Sequence, residues 1–337
     1  MPRSQRRPFS HRFLFARNPT DMQSILLGLC NGLTYGMLLF LMASGLTLVF
    51  SMLGVLNFSH TAFYTLGAYF AYTASQLLGL GFWVGLVVSP ACCALLGAVI
   101  ERFGIRHVLR YGLLGPLLLT FGIHLALIEL VGLIWGKSPV AYAMPASLNV
   151  PLFSLYGIDY SAYRAFTLVM TLAVLALLVV TLKCTRIGTT VRASLSHPDV
   201  VNTLGHNLPL LRNMVFAAGA ALAGLAGALS GNLLGTEPGM AGELDAILMI
   251  VIVVGGLGSL GGALVSSLLI GVLQTLATST EAPWSSLLGP FHALFSWSGA
   301  ATAALDQPIS RFAPLVPFVI VVVVLGLRPR GLMGARH

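Results

Sequence analysis

The sequence predicts an all-α polytopic membrane protein, and three observations carry that reading. The chain of 337 residues is 57% hydrophobic and only 8% charged, whereas an ordinary soluble domain has roughly a quarter of its residues charged. Its apolar residues gather into runs long enough to cross a hydrocarbon layer about 30 Å thick. Its basic residues gather into short segments between those runs. All but Lys137, Arg164 and Arg311 of the 18 Lys and Arg fall in 1–21, 101–112, 183–212 and the C-terminal tail. A net charge of +8 therefore reads as the positive-inside bias of cytoplasmic segments, not as a nucleic-acid surface.

Taken in order, residues 1–21 carry Arg3, Arg6, Arg7, Arg12 and Arg17. They read as a cytoplasmic tail, as an Arg-rich targeting segment, or as a stretch ahead of a start at Met22. Residues 22–337 then form a single transmembrane domain. Residues 25–56 are an apolar stretch too long for one span. Gly28, Gly32 and Gly36 recur every fourth residue and line one helix face, which lets a neighbouring helix approach closely in lipid. Gly45 and Gly54 interrupt the remainder. Asn57-Phe58-Ser59-His60 then sets three polar side chains between apolar runs. Asn57, Ser59 and His60 either cap the helix that follows or line a polar pathway.

Residues 61–78 and 82–100 read as two spans, 101–112 as a basic loop, and 113–135 as a span holding His124 and Glu129. Ionisable groups inside a membrane are costly and point to function. Glu129 either joins a pathway or reaches the interface from the end of its span. The Pro-rich, charge-poor residues 137–160 read as an external loop, and 161–182 as the next span.

Residues 183–212 are the longest polar stretch of the interior, with Lys183, Arg186, Arg192 and Arg212 against Asp199. Thr185-Arg186-Ile187-Gly188, then Val191-Arg192-Ala193, then Leu204-Gly205-His206-Asn207-Leu208-Pro209 predict a loop helix followed by a Gly turn. That is a compact knob offered to a cytoplasmic partner. Residues 213–234 are a span in which Gly219, Ala223, Gly227 and Gly231 form a second small-residue face. Glu237 and Glu243 mark a short external loop.

Residues 244–275 are apolar but broken by Gly255-Gly256-Leu257-Gly258-Ser259-Leu260-Gly261-Gly262. Loosened backbone at membrane depth is tolerated only where protein or a water-filled cavity surrounds it. Gly255, Gly256 and Gly258 therefore join Asn57, Ser59, His60 and Glu129 as candidates for a translocation pathway. Residues 276–311 read as an external connection, 312–327 as the last span, and Arg328, Arg330 and Arg336 as a cytoplasmic end.

Placing all four basic segments inside requires an even number of crossings between each pair. Both 25–56 and 244–275 must then cross twice or fold back as re-entrant hairpins. The result is about ten transmembrane or re-entrant segments, within a range of 8–10, with both termini cytoplasmic. Paired overlong or Gly-interrupted segments toward the two ends of a chain point to an inverted-repeat permease with its pathway between the repeats.

Other motifs subtract functions. Gly256 to Gly261 matches G-x-G-x-x-G, but a dinucleotide site needs a preceding strand and a soluble βαβ unit. Gly132 to Ser138 resembles a phosphate loop one residue short, and is more simply an interface pair of Trp135 and Lys137. Cys30, Cys92, Cys93 and Cys184 show no disulfide or metal spacing. No cofactor, metal or catalytic centre is predicted, which places an integral-membrane enzyme last. An ion-coupled secondary transporter or channel is the rival, with Glu129 and Asp245 as its only carboxylates in the apolar spans.

These stretches together resemble the LivH-type permease subunits of branched-chain amino-acid ABC importers, over essentially the whole chain from Met22. The resemblance rests on Asn31-Gly32-Leu33, on Gly45 to Phe50 ahead of Asn57-Phe58-Ser59-His60, and on Thr185-Arg186-Ile187-Gly188 with Val191-Arg192-Ala193. It continues through Gly219 to Gly227, the Gly255 to Ala263 run and Leu327-Arg328-Pro329-Arg330-Gly331-Leu332. It implies a non-catalytic pore subunit of the bacterial inner membrane, set in lipid. It implies a second homologous permease subunit, two cytoplasmic ATP-binding subunits and a periplasmic solute-binding protein as partners. Arg186, Gly188, Arg192, Ala193, Gly205, Asn207 and Pro209 would then dock on an ATPase. Similar permeases serve urea, short amides and aromatic acids, so the substrate stays open between these and leucine-type amino acids. The chain departs from the family pattern at Thr61, where Gly is usual, at Ser194-Leu195-Ser196, where polar and often acidic residues are usual, and in a longer 281–311 connection.

Overall fold

The computed structural model describes residues 19–112, 114–155, 158–196, 201, 203–205, 207–283 and 307–334. Helix α1 (Pro19–Leu53) is 35 residues long and uninterrupted. At ~1.5 Å per residue it outreaches a ~30 Å hydrocarbon layer. This corrects the expected double crossing or re-entrant turn within 25–56. Gly45 does not break the helix, because its missing Cβ leaves room for neighbours. A Cβ there would come within 2.7 Å of the Gly219 carbonyl and 2.9 Å of the His60 ring. Glycine in a helix interior costs about 1 kcal/mol, and such packing offsets it.

After a non-helical link, α2 (His60–Tyr72) ends in a π turn, Thr73–Leu77. Helix α3 (Phe82–Ile100) continues through a π turn, Glu101–Ile105, and short helical turns to Tyr111. Helix α4 (Leu114–Trp135) leads to a loop and a hairpin in which β1 (Pro151–Leu155) pairs antiparallel with β2 (Ile158–Ser161). Then come α5 (Ala162–Cys184), the short α6 (Arg186–Ser196) and α7 (Leu208–Leu234). Helices α8 (Met240–Gly255) and α9 (Leu260–Ser279) follow, and a 3₁₀ turn, Ile309–Leu315, enters α10 (Val316–Leu327).

Among the described residues seven helical stretches are long and apolar enough to cross a membrane: α1, α3, α4, α5, α7, α9 and α10 with its leading turn. Helices α2 and α8 are shorter. Leu118 and Leu133 on α4, Leu177 on α5 and Val322 on α10 lie exposed, as a lipid-facing surface requires. The fold is all-α and polytopic, as the composition predicts.

The small-residue faces are where helix backbones meet. Gly28, Gly32 and Gly36 of α1 face Leu276, Val272 and Leu268 of α9. One series of numbers rises as the other falls, so the helices run antiparallel. A Cβ on Gly36 would sit 2.9 Å from the Ser267 carbonyl oxygen. Helix α7 runs antiparallel to α3 in the same manner, with Ala220 on Gly97 and Gly224 on Cys93. Gly224 and Gly227 also bring the α7 backbone against Gly67 and Tyr64 of α2.

The bundle has two distinct ends. At one, Arg164 on α5 donates to the Asn31 side-chain oxygen on α1, and Thr34 and Tyr160 hydroxyls meet at 3.1 Å beside the β-hairpin. At the other, the Ser51 hydroxyl donates to the Gly258 carbonyl at 3.3 Å, Ser194 reaches the Met52 sulfur at 3.3 Å, and Arg106 donates to the Pro209 carbonyl at 2.9 Å. We call these the hairpin end and the basic end. A single α1 therefore starts at the hairpin end, opposite the 101–112 and 183–212 segments. That corrects the even count expected before residue 101. Residues 1–18 lie outside the described residues.

The break within 244–275 is present. Gly256 and Gly258 take φ of +100° and +81°, a region open to glycine and strained for other residues. Gly255 packs on Gly262, and the Ser266 hydroxyl donates to the Val251 carbonyl at 2.6 Å, so α8 and α9 form an antiparallel hairpin. Ser259 caps α9 by accepting from Gly262 N at 3.0 Å. The chain after α10 closes the tip: Leu332 N and Met333 N donate to the Val254 and Gly255 carbonyls at 2.8 and 3.0 Å. Two terminal carbonyls of α8 are thereby satisfied inside the protein.

Candidate functional site

The link between α1 and α2 brings irregular backbone into the bundle. Asn57, Ser59 and His60 are all buried. The Asn57 side-chain oxygen accepts from Ser59 N at 3.1 Å and from the Ser59 hydroxyl at 2.7 Å. Phe58 N donates to Thr120 on α4 at 3.3 Å. The Ser59 side chain makes no cap bond to α2. His60 lies 3.0 Å through Nε2 from the Met42 carbonyl, in the space that Gly45 leaves. A carbonyl only accepts, so Nε2 carries the proton and Nδ1 is an acceptor; Nδ1 is buried without a partner among the described residues. The motif thus ties the start of α2 into the side of α1, well short of the α1 terminus.

One residue further on, three helices share a polar cluster. Thr61 of α2 donates its hydroxyl to Asp245 Oδ1 on α8. A carboxylate offers acceptors only, so the Thr61 oxygen is left to accept from His124 Nδ1 on α4, 3.4 Å away. His124 Nε2 lies 3.4 Å from Asp245 Oδ2. His124 is near the midpoint of the 22-residue α4, so the cluster sits at mid-depth. Its side chain is 8% exposed, while that of Asp245 is 38% exposed. A carboxylate held by two partners and still reachable, near the start of its helix, can receive a polar solute at mid-depth.

Glu129 lies apart from this cluster, at the hairpin-end side of α4, exposed and 3.7 Å from Lys137. Gly255, Gly256 and Gly258 lie at the basic end, against Gly262, Gly334 and Ser51. The structure therefore groups Asn57, Ser59 and His60 with Thr61, His124 and Asp245, and sets the Gly-rich break at another depth.

The basic end assembles around 183–212. Helix α6 buries Gly188, Val191 and Ser194 and exposes Arg186, Ile187, Arg192 and Ala193. Gly188 is needed where α6 folds back, since a Cβ would strike the Thr181 and Leu182 carbonyls. Asn207 caps α7 by accepting from Leu210 N at 3.0 Å, and Pro209 occupies the first turn, where a missing N–H costs nothing. Gly205 takes φ of +83°. His206 and residues 197–200 lie outside the described residues.

Sequence reasoning passed over a buried acid here. Glu101 is fully buried, and its Oε2 accepts from Arg106 at 3.1 Å and from Asn213 Nδ2 at 2.7 Å. Arg106 in turn holds the Pro209 carbonyl, so Glu101 links α3 to the start of α7. The signal was a single acid opening an otherwise basic loop. Glu101→Ala is expected to cost about 3 kcal/mol, the scale for breaking a buried pair. Thermal unfolding of the detergent-purified protein measures it, and an unchanged midpoint would show that Arg106 and Asn213 hold without it. Thr61 and Asp245 were also legible only in part. Two lone ionisable groups in separate apolar runs, His124 and Asp245, were the cue that they pair with one another.

A many-helix bundle with small-residue contacts, interrupted helices and a mid-depth polar cluster defines a membrane-embedded translocating protein. The family model described as the branched-chain amino acid transport system permease component matches residues 28–297. The chain belongs to that family. It is 28% identical to the high-affinity branched-chain amino acid transport system permease protein BraD of Pseudomonas aeruginosa, over 91% of this chain and 94% of that one. It is 25% identical to the permease protein LivH of Escherichia coli K12 over 90% and 94%, and 29% identical to a probable LivH of Methanocaldococcus jannaschii over 72% and 78%. No solved structure matches the chain. It is thus a multi-pass transport component of the bacterial inner membrane, not a catalytic subunit. Membership implies ATPase and solute-binding partners. Among the described residues no group of three His, Cys, Asp or Glu is placed to hold a metal ion.

Proposed function

We propose that this chain is one half of the pore of an ABC importer for branched-chain amino acids. The match over residues 28–297 is the observation that carries it. The other half is a homologous permease, two cytoplasmic ATPases dock on the basic end, and a periplasmic binding protein delivers solute to the hairpin end. The basic residues of 101–112, 183–212 and the C-terminal tail support this orientation. With α1 crossing once, the described helices make nine passes, counting α2 and α8, and α1 starts outside. Units α1–α4 and α7–α10 then form an inverted repeat. The contact of α1 with α9 has its counterpart in that of α7 with α3, and α1 and α7 run in opposite senses. The mid-depth cluster near their junction, with Asn57, Ser59 and His60 behind it, belongs to the pathway. Gly255, Gly256 and Gly258 shape the α8–α9 hairpin at its cytoplasmic mouth.

Helix α6 is the coupling knob. Arg186, Arg192 and Ala193 present its outer face, while Gly188, Gly205, Asn207 and Pro209 set the shape of the loop. ATP-driven leucine uptake by the reconstituted complex tests the assignment, together with titration of its binding protein with leucine, urea and benzoate. Arg192→Glu is expected to cut the ATPase stimulation by loaded binding protein at least about tenfold, equivalent to 1.4 kcal/mol. Normal stimulation in that variant would move the ATPase contact elsewhere.

A further inference from the structure

At the hairpin end a cavity of about 310 Å³ opens between α1, α5, α7 and α9. This is the small end of the range for ligand pockets, roughly 300–1,000 Å³. Its wall holds Arg164, in the first turn of α5. Arg164 donates through Nη1 to the neutral Asn31 amide. Among the described residues no carboxylate forms an ion pair with it. A guanidinium has five donors in a planar fork suited to a carboxylate, and the Asn31 bond uses one of its two terminal nitrogens. Among the described residues the Gln274 side-chain oxygen on α9, also in the cavity wall, is buried without a hydrogen-bond partner, and such an acceptor is costly until a donor reaches it. Leu38 and Leu233 supply apolar wall between these polar groups.

We propose that this cavity is a binding site for a zwitterionic apolar amino acid. The α-carboxylate sits on Arg164, the ammonium group turns to Gln274, and the aliphatic side chain lies against Leu38 and Leu233. The assignment rests on reading the chain as an amino-acid permease. It adds a stopping point between delivery at the hairpin end and the Asp245 cluster at mid-depth. Arg164 supplies the selection, because a cation with no ion-pair partner among the described residues favours a ligand with a free carboxylate over an amide or urea.

Saturation-transfer NMR on the assembled importer in nanodiscs, without binding protein or ATP, tests the site with leucine and leucinamide as probes. Transfer to the leucine methyl groups is expected, with little to leucinamide. Arg164→Gln and Thr278→Trp, the latter placed at the exposed lip, should each weaken the leucine signal about tenfold, or 1.4 kcal/mol. No transfer in the wild type, equal transfer to leucinamide, or full transfer in both variants overturns the site. ATP-driven leucine uptake with the binding protein present is the separate control on the reading beneath it. Uptake without transfer removes the cavity and leaves the permease assignment standing. Transfer without uptake removes leucine import and leaves the cavity.

Discussion

Asp245→Ala is expected to lower ATP-driven leucine uptake by about ten- to a hundredfold while the complex still assembles. Asp245 ties α2 to α4 and α8 through Thr61 and His124, and its carboxylate is the reachable member of the cluster. A hydrogen bond to a charged group contributes about 1.5–3 kcal/mol, and each 1.4 kcal/mol is a factor of ten. Removing the carboxylate also leaves the Thr61 hydroxyl without its acceptor at mid-depth. Glu129→Gln is the matched control. Glu129 and Lys137 form an exposed pair, worth about 0–1 kcal/mol, so uptake in that variant should stay close to wild type. Uptake within twofold of wild type in Asp245→Ala would remove the cluster from the transport path. If Asp245→Asn and Glu129→Gln together leave uptake fully ATP-dependent, ion coupling through these carboxylates is excluded.

Gly227→Leu is expected to prevent the bundle from forming, and Gly122→Leu to be tolerated. A Cβ at 227 would strike the Tyr64 carbonyl and lie 2.9 Å from Ala68 N, where α7 and α2 meet backbone to backbone. A Cβ at 122 meets nothing within 4 Å. Overpacking costs about 1–3 kcal/mol where side chains can shift, and here the obstacles are main-chain atoms of two buried helices. The destabilisation should therefore reach about 3 kcal/mol or more. Size-exclusion profiles and melting of the two variants in detergent distinguish them. A monodisperse Gly227→Leu protein with a near-native melting point would show that α2 and α7 can separate without loss of the fold.

Charge parity among the basic loops matches the structure at one overlong stretch and not at the other. It placed doubled structure in both overlong stretches, and the α8–α9 hairpin has it. Helix α1 does not, because Gly28, Gly32, Gly36 and Gly45 are spent on contacts with α9, α7 and His60 and do not break the helix. Four-residue spacing correctly marked a helix face of close approach. Spacing cannot distinguish a glycine that lets a helix in from one that stops its own helix, since both lack a Cβ. At 255–262 the difference is visible in density: five glycines in eight residues leave too few side chains to hold a helix, and two of them take positive φ.

The sequence by itself determined that this protein lives in a membrane, that it is built of helices, where its basic loops fall and which family it belongs to. These properties are sums over many residues, and burial of apolar surface in lipid is indifferent to which neighbour a residue meets. Only the tertiary structure decided that Thr61, His124 and Asp245 converge, that Glu101 bridges α3 to α7, and that Arg164 lines a cavity with no ion-pair partner among the described residues. Those facts depend on the relative rotation and register of separate helices. In lipid these are set by close packing of small residues, and each contact joins positions tens to hundreds of residues apart in the chain.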